Sequence, residues 1–247
     1  MNASHLKDRI QAKIVTPEGK RTYVRGLFGR IAGRYDLTND VMSAGLHRRW
    51  KRLVIRLADV RPDDVVLDLA AGTGDLALRL AERRPGDGLL LAADLTIEMM
   101  RKGRSRPGAE RVSWLAGDAM ALPLADASVD RVVVSYGLRN FAGLDRSIGE
   151  IRRVLRPGGR FVALDFGRAE PAWLNRAYVK YLEVSTAAAG WLLHRDVESY
   201  RYIPESLREY PAQQGVTESM QRHGFVHCGV VDLVFGTMAV NFGDVPG

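Results

Sequence analysis

The sequence predicts an α/β fold in which a largely parallel sheet carries helices on both faces. Three observations support this prediction: short apolar runs alternate with stretches of helical spacing, a glycine turn joins the first run to a helix, and acids end successive runs. The length of 247 residues suits one large domain with elaborations. We therefore expect a single domain over residues 1–247.

The predicted elements follow the chain in order. Residues 1–60 form an N-terminal helical region, with apolar side chains at helical spacing before Pro62 ends it. Strands are predicted at 65–69, 88–94, 111–118, 130–137 and 160–166, helices at 76–81, 97–104 and 144–155, and a Pro-Gly-Gly turn at 157–159. This alternation stops after Phe166, and residues 167–215 predict a helical cap over the sheet. Residues 223–243 predict a terminal hairpin that turns at Phe235–Gly236.

Composition bounds the function. The net charge of +7 favours an anionic partner, either nucleic acid or a membrane surface, although charge spread along the chain also fits a compositional bias. Cys228 is the single cysteine, so we expect no disulfide framework and no metal site. The polar start and the lack of a run approaching ~20 apolar residues predict a cytoplasmic protein, which visits the inner face of the membrane without crossing it.

The glycine turn predicts a nucleotide site. Residues 72–77, Gly-Thr-Gly-Asp-Leu-Ala, satisfy the loose dinucleotide pattern Gly-x-Gly-x-x-Gly/Ala after a predicted strand. Asp94 ends the next strand and is suited to bind a ribose hydroxyl. An NAD-dependent oxidoreductase therefore remains a competing interpretation.

Two further acids favour S-adenosylmethionine over a dinucleotide. Asp68 lies inside the strand before the turn, where a carboxylate would repel a pyrophosphate but attract the cationic methionine end of S-adenosylmethionine. Asp118 ends the third strand, where it can accept from an adenine amino group while the Ala119 amide donates to the ring. The structural alternative for each acid is a helix N-cap.

Several blocks of sequence carry a family resemblance. "DLAAGTGD", "AADLTIEMM", "GDAMALPL", "DRVVVSYGLRN" and "VLRPGGRFVALDF" resemble the class I S-adenosylmethionine-dependent methyltransferases in order and spacing. "FGRIAGRYDLTNDVMSAGLHRRWKR", "SYGLRNF" and "ESYRYIPESLREYP" are similar to the ubiquinone/menaquinone biosynthesis C-methyltransferases. The resemblance implies a Rossmann-like, seven-stranded mixed sheet with an antiparallel C-terminal hairpin. It also implies methylation of a ring carbon on a prenylated quinol.

The resemblance leaves the acceptor partly open. Conversion of demethylmenaquinol to menaquinol is favoured, and a ubiquinone precursor or another small aromatic or polyketide is the alternative. Relatives often have a His-Arg-like pair in the last strand, where this sequence has Asn241 and Phe242. Asp165 stands where Glu is frequent in relatives. These differences leave the exact quinone undecided. A homodimer is left open as well.

The resemblance assigns roles to individual residues. Cofactor contacts are expected from Asp68, Gly72, Thr73, Gly74, Asp94, Leu95, Asp118, Ala119 and Ser135. Catalytic roles are expected for Arg139, Asn140 and Tyr202, and substrate contacts for Tyr136, Asp165 and Tyr200. The structural alternatives are a salt bridge for the arginine, a buried hydrogen-bonded aspartate, and aromatic packing for the tyrosines.

The chemistry of ring methylation explains these residue types. A deprotonated hydroquinone is electron-rich enough at carbon to attack a sulfonium methyl, so the protein needs to align the reactants, exclude water and stabilise the oxyanion. Arg139 stays protonated, so it can lower the pKa of a bound phenol or orient a water, but it cannot serve as an ordinary base. His47 and Lys51, one helical turn apart, would close over the cofactor or form a solvated basic face.

A nucleic-acid methyltransferase explains the charge but not the motifs. Exocyclic amino methylation commonly uses an Asn/Asp-Pro-Pro-aromatic block after the fourth strand, and here that position reads "SYGLRN". Pyrimidine C5 methylation needs a cysteine nucleophile, and Cys228 lies far along the chain in the predicted hairpin. We therefore expect no nucleic-acid partner.

Overall fold

The sheet contains seven strands in the order β3-β2-β1-β4-β5-β7-β6. The computed structural model describes residues 10–43, 45–83, 86–189 and 197–247. Strands β1 to β5 pair in parallel, and β7 runs antiparallel to both of its neighbours, β5 and β6. The strands are β1 Val66–Leu69, β2 Leu90–Asp94, β3 Ser113–Ala116, β4 Val129–Ser135, β5 Leu155–Phe166, β6 Val226–Leu233 and β7 Met238–Asp244. The predicted fold class, with its antiparallel terminal hairpin, is confirmed.

Helices cover both faces of this sheet. The helices are α1 Pro17–Ile31, α2 Tyr35–Met42, α3 His47–Ala58, α4 Asp75–Arg83, α5 Ile97–Arg104, α6 Leu144–Val154, α7 Ala172–Ala189, α8 Val197–Arg208 and α9 Ala212–Arg222. Residues 10–14 are helical as well. In the part of the chain that the structure describes, no helix is both long and apolar enough to cross a membrane.

The core is divided by the alternation of side chains along the strands. Val132 and Val134 of β4 face the same cluster as Ile148 of α6, whereas Val133 faces the opposite cluster with Val54 of α3. All five side chains are completely buried. Near-continuous apolar runs such as this are typical of parallel strands covered on both faces.

Strand β5 begins earlier than predicted. It starts at Leu155 instead of residue 160, because Leu155 pairs with Val129 before the register shifts and Arg160 pairs with Arg131. The predicted Pro-Gly-Gly turn therefore lies inside the strand as an irregularity. Gly158 has φ +72°, a left-handed conformation that a glycine adopts without steric cost.

The segment after β5 holds α7 and α8, which pack on each other. Helix α7 also packs against α2, and α8 packs against the 3₁₀ turn Leu138–Asn140 at the carboxyl end of β4. Helix α9 begins at Ala212 and packs on β6 and β7, where Val216 and Met220 are completely buried. The residues after β5 thus reach both the carboxyl edge of the sheet and its terminal hairpin.

Candidate active site

A cleft of about 730 Å³ opens at the carboxyl ends of β1 to β4. This edge of an open parallel sheet is where ligands bind. The cleft is lined by eight residues assigned from the sequence: Gly72, Asp94, Leu95, Asp118, Ala119, Ser135, Tyr136 and Asn140. Asp68, Thr73, Gly74, Arg139, Asp165 and Tyr202 are described by the structure but are not among its lining residues.

The glycine turn is shaped by backbone conformations that favour glycine. Gly72 and Gly74 have φ values of +58° and +73°. A Cβ atom on Gly74 would lie 2.4 Å from the Trp114 ring, so a larger residue would not fit without a shift. The Gly72 amide donates to Asp94 Oδ2 across 2.8 Å, which ties the turn to the end of β2.

Asp94 connects this turn to the next helix. Its Oδ1 accepts from the Thr96 amide at 2.7 Å. Burial raises the pKa of Asp94, while these backbone hydrogen bonds oppose the shift. Asp94 lines the cleft, where a carboxylate is a suitable acceptor for a ribose hydroxyl.

Asp68 caps a helix. Its Oδ2 accepts from the Ala77 amide across 2.9 Å at the start of α4, and the residue is almost completely buried. Burial raises the pKa of Asp68 to about 7, against the opposing effects of Lys51 and the Ala77 amide. This contact matches the structural alternative that the sequence left open for this residue.

Thr73 belongs to a cluster of charged side chains beside the turn. Its hydroxyl donates to Asp36 at 2.7 Å, and Arg106 pairs with Asp36 and with Asp75 at 3.2 and 3.4 Å. Lys51 completes the cluster, 2.8 Å from Asp75. Burial opposes ionisation of Asp75, but Lys51 and Arg79 hold the pKa of this carboxyl well below its usual range. Sequence reasoning missed Asp36 and Arg106, because neither lies in a local motif.

His47 and Lys51 of α3 do not form a solvated basic face. His47 and Lys51 are 4% and 5% exposed, so that interpretation is wrong. The His47 ring lies 3.0 Å from Asp40, and burial, followed by the charge of Lys51, lowers the pKa of His47. Lys51 also lies over the Tyr136 ring, 5.9 Å from its centroid.

Asp118 has a partner from the N-terminal region. Its Oδ1 accepts from the Met120 amide at 2.9 Å, and its Oδ2 lies 3.3 Å from Arg21 Nη1 of α1. Both Arg21 and Asp118 line the cleft. Arg21 therefore takes up one acceptor position of the carboxylate oxygen that could also accept from an adenine amino group.

Arg139 is held by Asp165 from the neighbouring strand. Arg139 Nη1 donates to Asp165 Oδ1 at 2.9 Å and to the Tyr136 carbonyl at 2.8 Å. The Arg139 amide donates to Asp165 Oδ2 at 3.2 Å, and the guanidinium lies 4.8 Å from the Phe166 ring centroid. Burial by itself disfavours the charge, yet Asp165 and the nearby Tyr35 and Tyr202 keep the pKa of Arg139 raised.

Several buried polar atoms around Arg139 lack a hydrogen-bond partner in the described chain. They are Ser135 Oγ, Tyr136 OH, Arg139 Nε, Asn140 Oδ1 and Tyr202 OH. Buried polar groups are usually paired, and leaving one unpaired costs about 1–3 kcal/mol, so this group of atoms marks a site built to bind a ligand. The side chain of Tyr200, a predicted substrate contact, lies outside the described residues.

The backbone before Arg139 is strained. Tyr136 has φ +64°, which is unusual for a bulky residue and is often found at functional sites. Asn140 Nδ2 donates to the Tyr136 carbonyl at 3.1 Å and thereby braces this conformation. The strain turns the chain after β4 so that Asn140 lines the cleft.

Additional tyrosines surround the guanidinium. Burial raises the pKa values of Tyr35, Tyr178 and Tyr202, and the charge of Arg139 opposes each shift. Tyr35 lines the cleft, whereas Tyr202 packs against Tyr23 with ring centroids 5.6 Å apart. Sequence reasoning missed Tyr35 and Tyr178, since aromatic residues on helices give no local signal that separates a core role from a site role.

The residues of the cleft fit an adenosyl ligand. Gly72, Asp94 and Ser135 line the cleft at three successive strand ends, and Ser135 Oγ has no hydrogen-bond partner within the described chain. The groups of His, Cys, Asp and Glu within the described ranges contain no set suited to a metal ion. The fold and this cleft together define a Rossmann-like S-adenosylmethionine-dependent methyltransferase.

Solved structures support the same fold. An S-adenosylmethionine-dependent methyltransferase of Thermotoga maritima aligns with a TM-score of 0.63 at 18% identity, covering 90% of this chain and 99% of that chain. Phosphoethanolamine N-methyltransferase 2 of Haemonchus contortus, in complex with S-adenosyl-L-methionine, aligns with a TM-score of 0.58 at 14% identity, covering 81% and 53%. At these identities the similarity concerns the fold.

Comparison of sequences identifies the family. The model of the ubiE/COQ5 methyltransferase family matches residues 16–244. The ubiquinone/menaquinone biosynthesis C-methyltransferase UbiE of Acidiphilium cryptum is 43% identical over 92% of each chain, and that of Methylococcus capsulatus is 39% identical over 94% of this chain and 95% of the relative. The chain belongs to the ubiE/COQ5 methyltransferase family. The predicted family and the predicted cofactor, S-adenosylmethionine, are confirmed, and the residue roles stay predictions.

Proposed function

We propose that this protein methylates a ring carbon of a prenylated quinol, with demethylmenaquinol as the preferred acceptor and menaquinol as the product. The names of the relatives support quinone biosynthesis and include both ubiquinone and menaquinone. A ubiquinone precursor is therefore the second candidate. The observation that carries the proposal is the buried Arg139–Asp165 pair, surrounded by unpaired polar atoms at the carboxyl edge of the sheet.

Arg139 is suited to stabilise a ring oxyanion. Asp165 and the Tyr136 carbonyl hold one end of the guanidinium, while Nε has no partner within the described chain and can donate to a ring oxygen. A cation fixed in a buried site stabilises developing negative charge without reorganising at the moment of reaction. Through this contact Arg139 would favour the phenolate form of the bound quinol.

Asn140 and Tyr202 would orient the ring. The unpaired Asn140 Oδ1 can accept from a ring hydroxyl, and the unpaired Tyr202 hydroxyl can donate to a ring oxygen. Because burial raises the pKa of Tyr202, this phenol stays protonated at neutral pH and acts as a donor. Tyr136 would contact the substrate from the cleft wall, and Asp165 would act by positioning Arg139.

Ring methylation replaces a hydrogen with a methyl group, so a proton must leave the site. S-adenosylmethionine, when bound, supplies the electrophilic methyl group. Arg139 remains protonated and the phenols of Tyr35 and Tyr202 have raised pKa values, so none of the three is suited to accept the proton. We infer that a water molecule held near Arg139 receives it.

The cofactor would lie against the four strand ends. The glycine turn and Leu95 would give close backbone approach, and Asp94 would accept from the ribose. Asp118 and Ala119 would bind the adenine, and Ser135 would contact the ligand from the end of β4. Asp68 and Thr73 would support the turn through Ala77 and Asp36.

The tail of the substrate places the reaction near a bilayer. A prenylated quinol resides in the membrane, so we propose a cytoplasmic protein that binds the inner membrane face peripherally. Residues 167–215 would act as the substrate cap within a single domain, because α7 and α8 pack near the carboxyl edge. We propose no nucleic-acid partner.

The test is a methylation assay with competing acceptors. The purified protein is incubated with S-adenosylmethionine and either reduced demethylmenaquinone or a reduced ubiquinone precursor, and the products are analysed by mass spectrometry. We expect the naphthoquinol to gain one methyl group on ring carbon at the higher kcat/KM. Preference for the ubiquinone precursor would contradict the choice of acceptor. Methylation on oxygen, or binding of NAD in place of S-adenosylmethionine, would contradict the reaction itself.

A further inference from the structure

The turn of the terminal hairpin carries exposed apolar side chains in a strained conformation. The Gly236 amide donates to the Leu233 carbonyl at 3.1 Å, which closes a tight turn. The two central residues, Val234 and Phe235, have φ values of +50° and +57°. Such turns favour Asn-Gly, because positive φ costs a β-branched or bulky residue about 1–2 kcal/mol.

These side chains gain no burial that would offset the strain. Phe235 is 80% exposed and Val234 is 49% exposed. Local strain that the fold does not require is often retained for function. The turn therefore presents an aromatic ring to the surroundings at a cost in stability.

The turn lies beside the beginning of α7. The Gly167 amide donates to the Thr237 carbonyl at 2.9 Å. Gln213 bridges the two segments, because it accepts from the Arg168 amide at 2.8 Å and donates to Asp232 at 3.2 Å. The hairpin turn and the segment that leads into α7 are thus held together at one edge of the sheet.

Helix α7 continues the exposed apolar surface. Trp173, Tyr181 and Val184 are 62%, 56% and 61% exposed, and their spacing places them on one face of the helix. The opposite face contains the buried Leu182. A helix with apolar residues on both faces packs on the protein with one face and is suited to contact an apolar phase with the other.

The inner side of α7 is near the charge of Arg139. Tyr178 is the residue of α7 whose pKa is influenced by the charge of Arg139, after the larger effect of burial. The Tyr178 ring stacks with Tyr181, with centroids 6.3 Å apart. The two stacked rings thus connect the exposed face of α7 with its inner side, where Tyr178 senses the charge of Arg139.

The charges around this surface favour an anionic partner. Arg168, Arg176 and Lys180 are exposed, and Lys180 lies 3.3 Å from the half-buried Glu183. Glu170 is the exposed acid of the same segment. Exposed cations beside aromatic residues are typical of a surface that binds the headgroup region of a bilayer.

We propose that Val234, Phe235, Trp173, Tyr181 and Val184, here named the apolar rim, dock this protein on an anionic lipid bilayer. The proposal rests on the proposed function, since a prenylated acceptor must be drawn from a membrane. Phe235 and Trp173 enter the interface, and the cations of α7 contact the headgroups. The tail of the acceptor stays in the bilayer while its ring reaches Arg139 past Tyr178.

The experiment is co-sedimentation with vesicles of phosphatidylcholine and phosphatidylglycerol. The variants Phe235→Asn and Trp173→Gln, and the double variant that combines them, are compared with wild type. Leu89→Ser is the matched control, because Leu89 is an exposed apolar residue that lies just before β2, at the opposite edge of the sheet. We expect the double variant to bind about tenfold more weakly, owing to lost apolar burial, and the control to bind like wild type. Phe235→Asn should also melt at a higher temperature, because Asn tolerates positive φ.

A second measurement separates docking from catalysis. Methyl transfer to a tail-less hydroquinone in solution should be unchanged in Phe235→Asn, which lies outside the substrate cap, while transfer to vesicle-embedded quinol should fall with vesicle binding. Equal vesicle binding by wild type and double variant would overturn the docking proposal. The docking proposal would also be overturned if analytical ultracentrifugation showed a dimer for wild type and a monomer for the double variant, since the rim would then bind a second copy. Vesicle binding through the rim without any quinol methylation would overturn the proposed function and leave the docking surface supported.

Discussion

Arg139 Nη1 donates to Asp165 Oδ1 across 2.9 Å, and the two side chains are only 6% and 2% exposed. The residues are 26 positions apart, and they meet because β4 and β5 are neighbours in the sheet, where Ser135 pairs with Leu164. A buried ion pair adds little net stability, but removal of one partner leaves an uncompensated charge. The pair therefore offers a sensitive test of the proposed site.

Replacement of Arg139 should separate catalysis from cofactor binding. We expect Arg139→Ala to lower kcat by at least about 100-fold, the usual effect of losing a donor to a developing oxyanion. The dissociation constant for S-adenosylmethionine should change little, because Arg139 does not line the cofactor cleft. Arg139→Lys should recover only part of the rate, since an ammonium cannot form the same forked contacts. Wild-type turnover in Arg139→Ala would remove this residue from the mechanism.

Replacement of Asp165 should cost stability as well as rate. Asp165→Asn leaves the buried guanidinium without its counter-charge, so we expect the free energy of unfolding to fall by about 3–5 kcal/mol. Urea denaturation measures this loss, and steady-state kinetics should show a lower kcat with a smaller change in KM. An unchanged unfolding free energy together with a raised KM would instead indicate that Asp165 contacts the substrate directly.

Asp68 should make stability depend on pH. Its folded-state pKa is raised by burial from 3.8 to about 7, so its stabilising contribution is complete below pH ~4 and is lost as pH rises through ~7. Between pH 5 and 8 this loss should amount to about 2–3 kcal/mol in the free energy of unfolding without cofactor. Asp68→Asn keeps an acceptor for the Ala77 amide and should lose this dependence. The same pH profile in both proteins would contradict a raised pKa.

Two glycines with almost the same φ distinguish backbone strain from steric fit. Gly74 (φ +73°) would place a Cβ 2.4 Å from Trp114, whereas a Cβ on Gly158 (φ +72°) would meet no atom within 4 Å. We expect Gly158→Ala to cost about 1–2 kcal/mol of unfolding free energy from strain alone. Gly74→Ala should cost about 1–3 kcal/mol more because of overpacking, and should weaken cofactor binding. Equal destabilisation in thermal or urea unfolding would refute the role of Trp114.

Arg21 and Asp118 should affect cofactor affinity in opposite directions. Asp118→Ala removes the proposed acceptor for adenine and should weaken binding about tenfold. Arg21→Ala frees Asp118 Oδ2, but the ion pair is partly exposed, so affinity should rise by no more than about fivefold. Calorimetry at two salt concentrations tests this, since added salt should bring the cofactor affinity of the wild type closer to that of Arg21→Ala. Weaker binding by Arg21→Ala would show that Arg21 itself contacts the cofactor.

Local patterns in the sequence predicted most of the fold. The apolar runs predicted β1, β2 and β4 to within one or two residues, and the helix at 97–104 agrees with α5 at both ends. The start of β5 was missed because Pro157-Gly158-Gly159 has the composition of a turn, while its pairing with β4 depends on a distant strand. The glycine turn and the acids after each strand also have local signals, and Gly72, Asp94 and Asp118 line the cleft.

The remaining features of the site depend on contacts between distant parts of the chain. Arg21 reaches Asp118 across 97 positions, Arg106 reaches Asp36 across 70, and no short motif encodes either pair. The sequence by itself determined the order of strands and helices along the chain and the glycine turn, because these follow from side-chain spacing and local backbone preference. The family followed from the resemblance of its longer motifs. Only the tertiary structure decided that Asp68 caps α4, that Asp165 holds Arg139, and that Phe235 stays exposed. Burial and pairing are set by which surfaces the folded chain brings together.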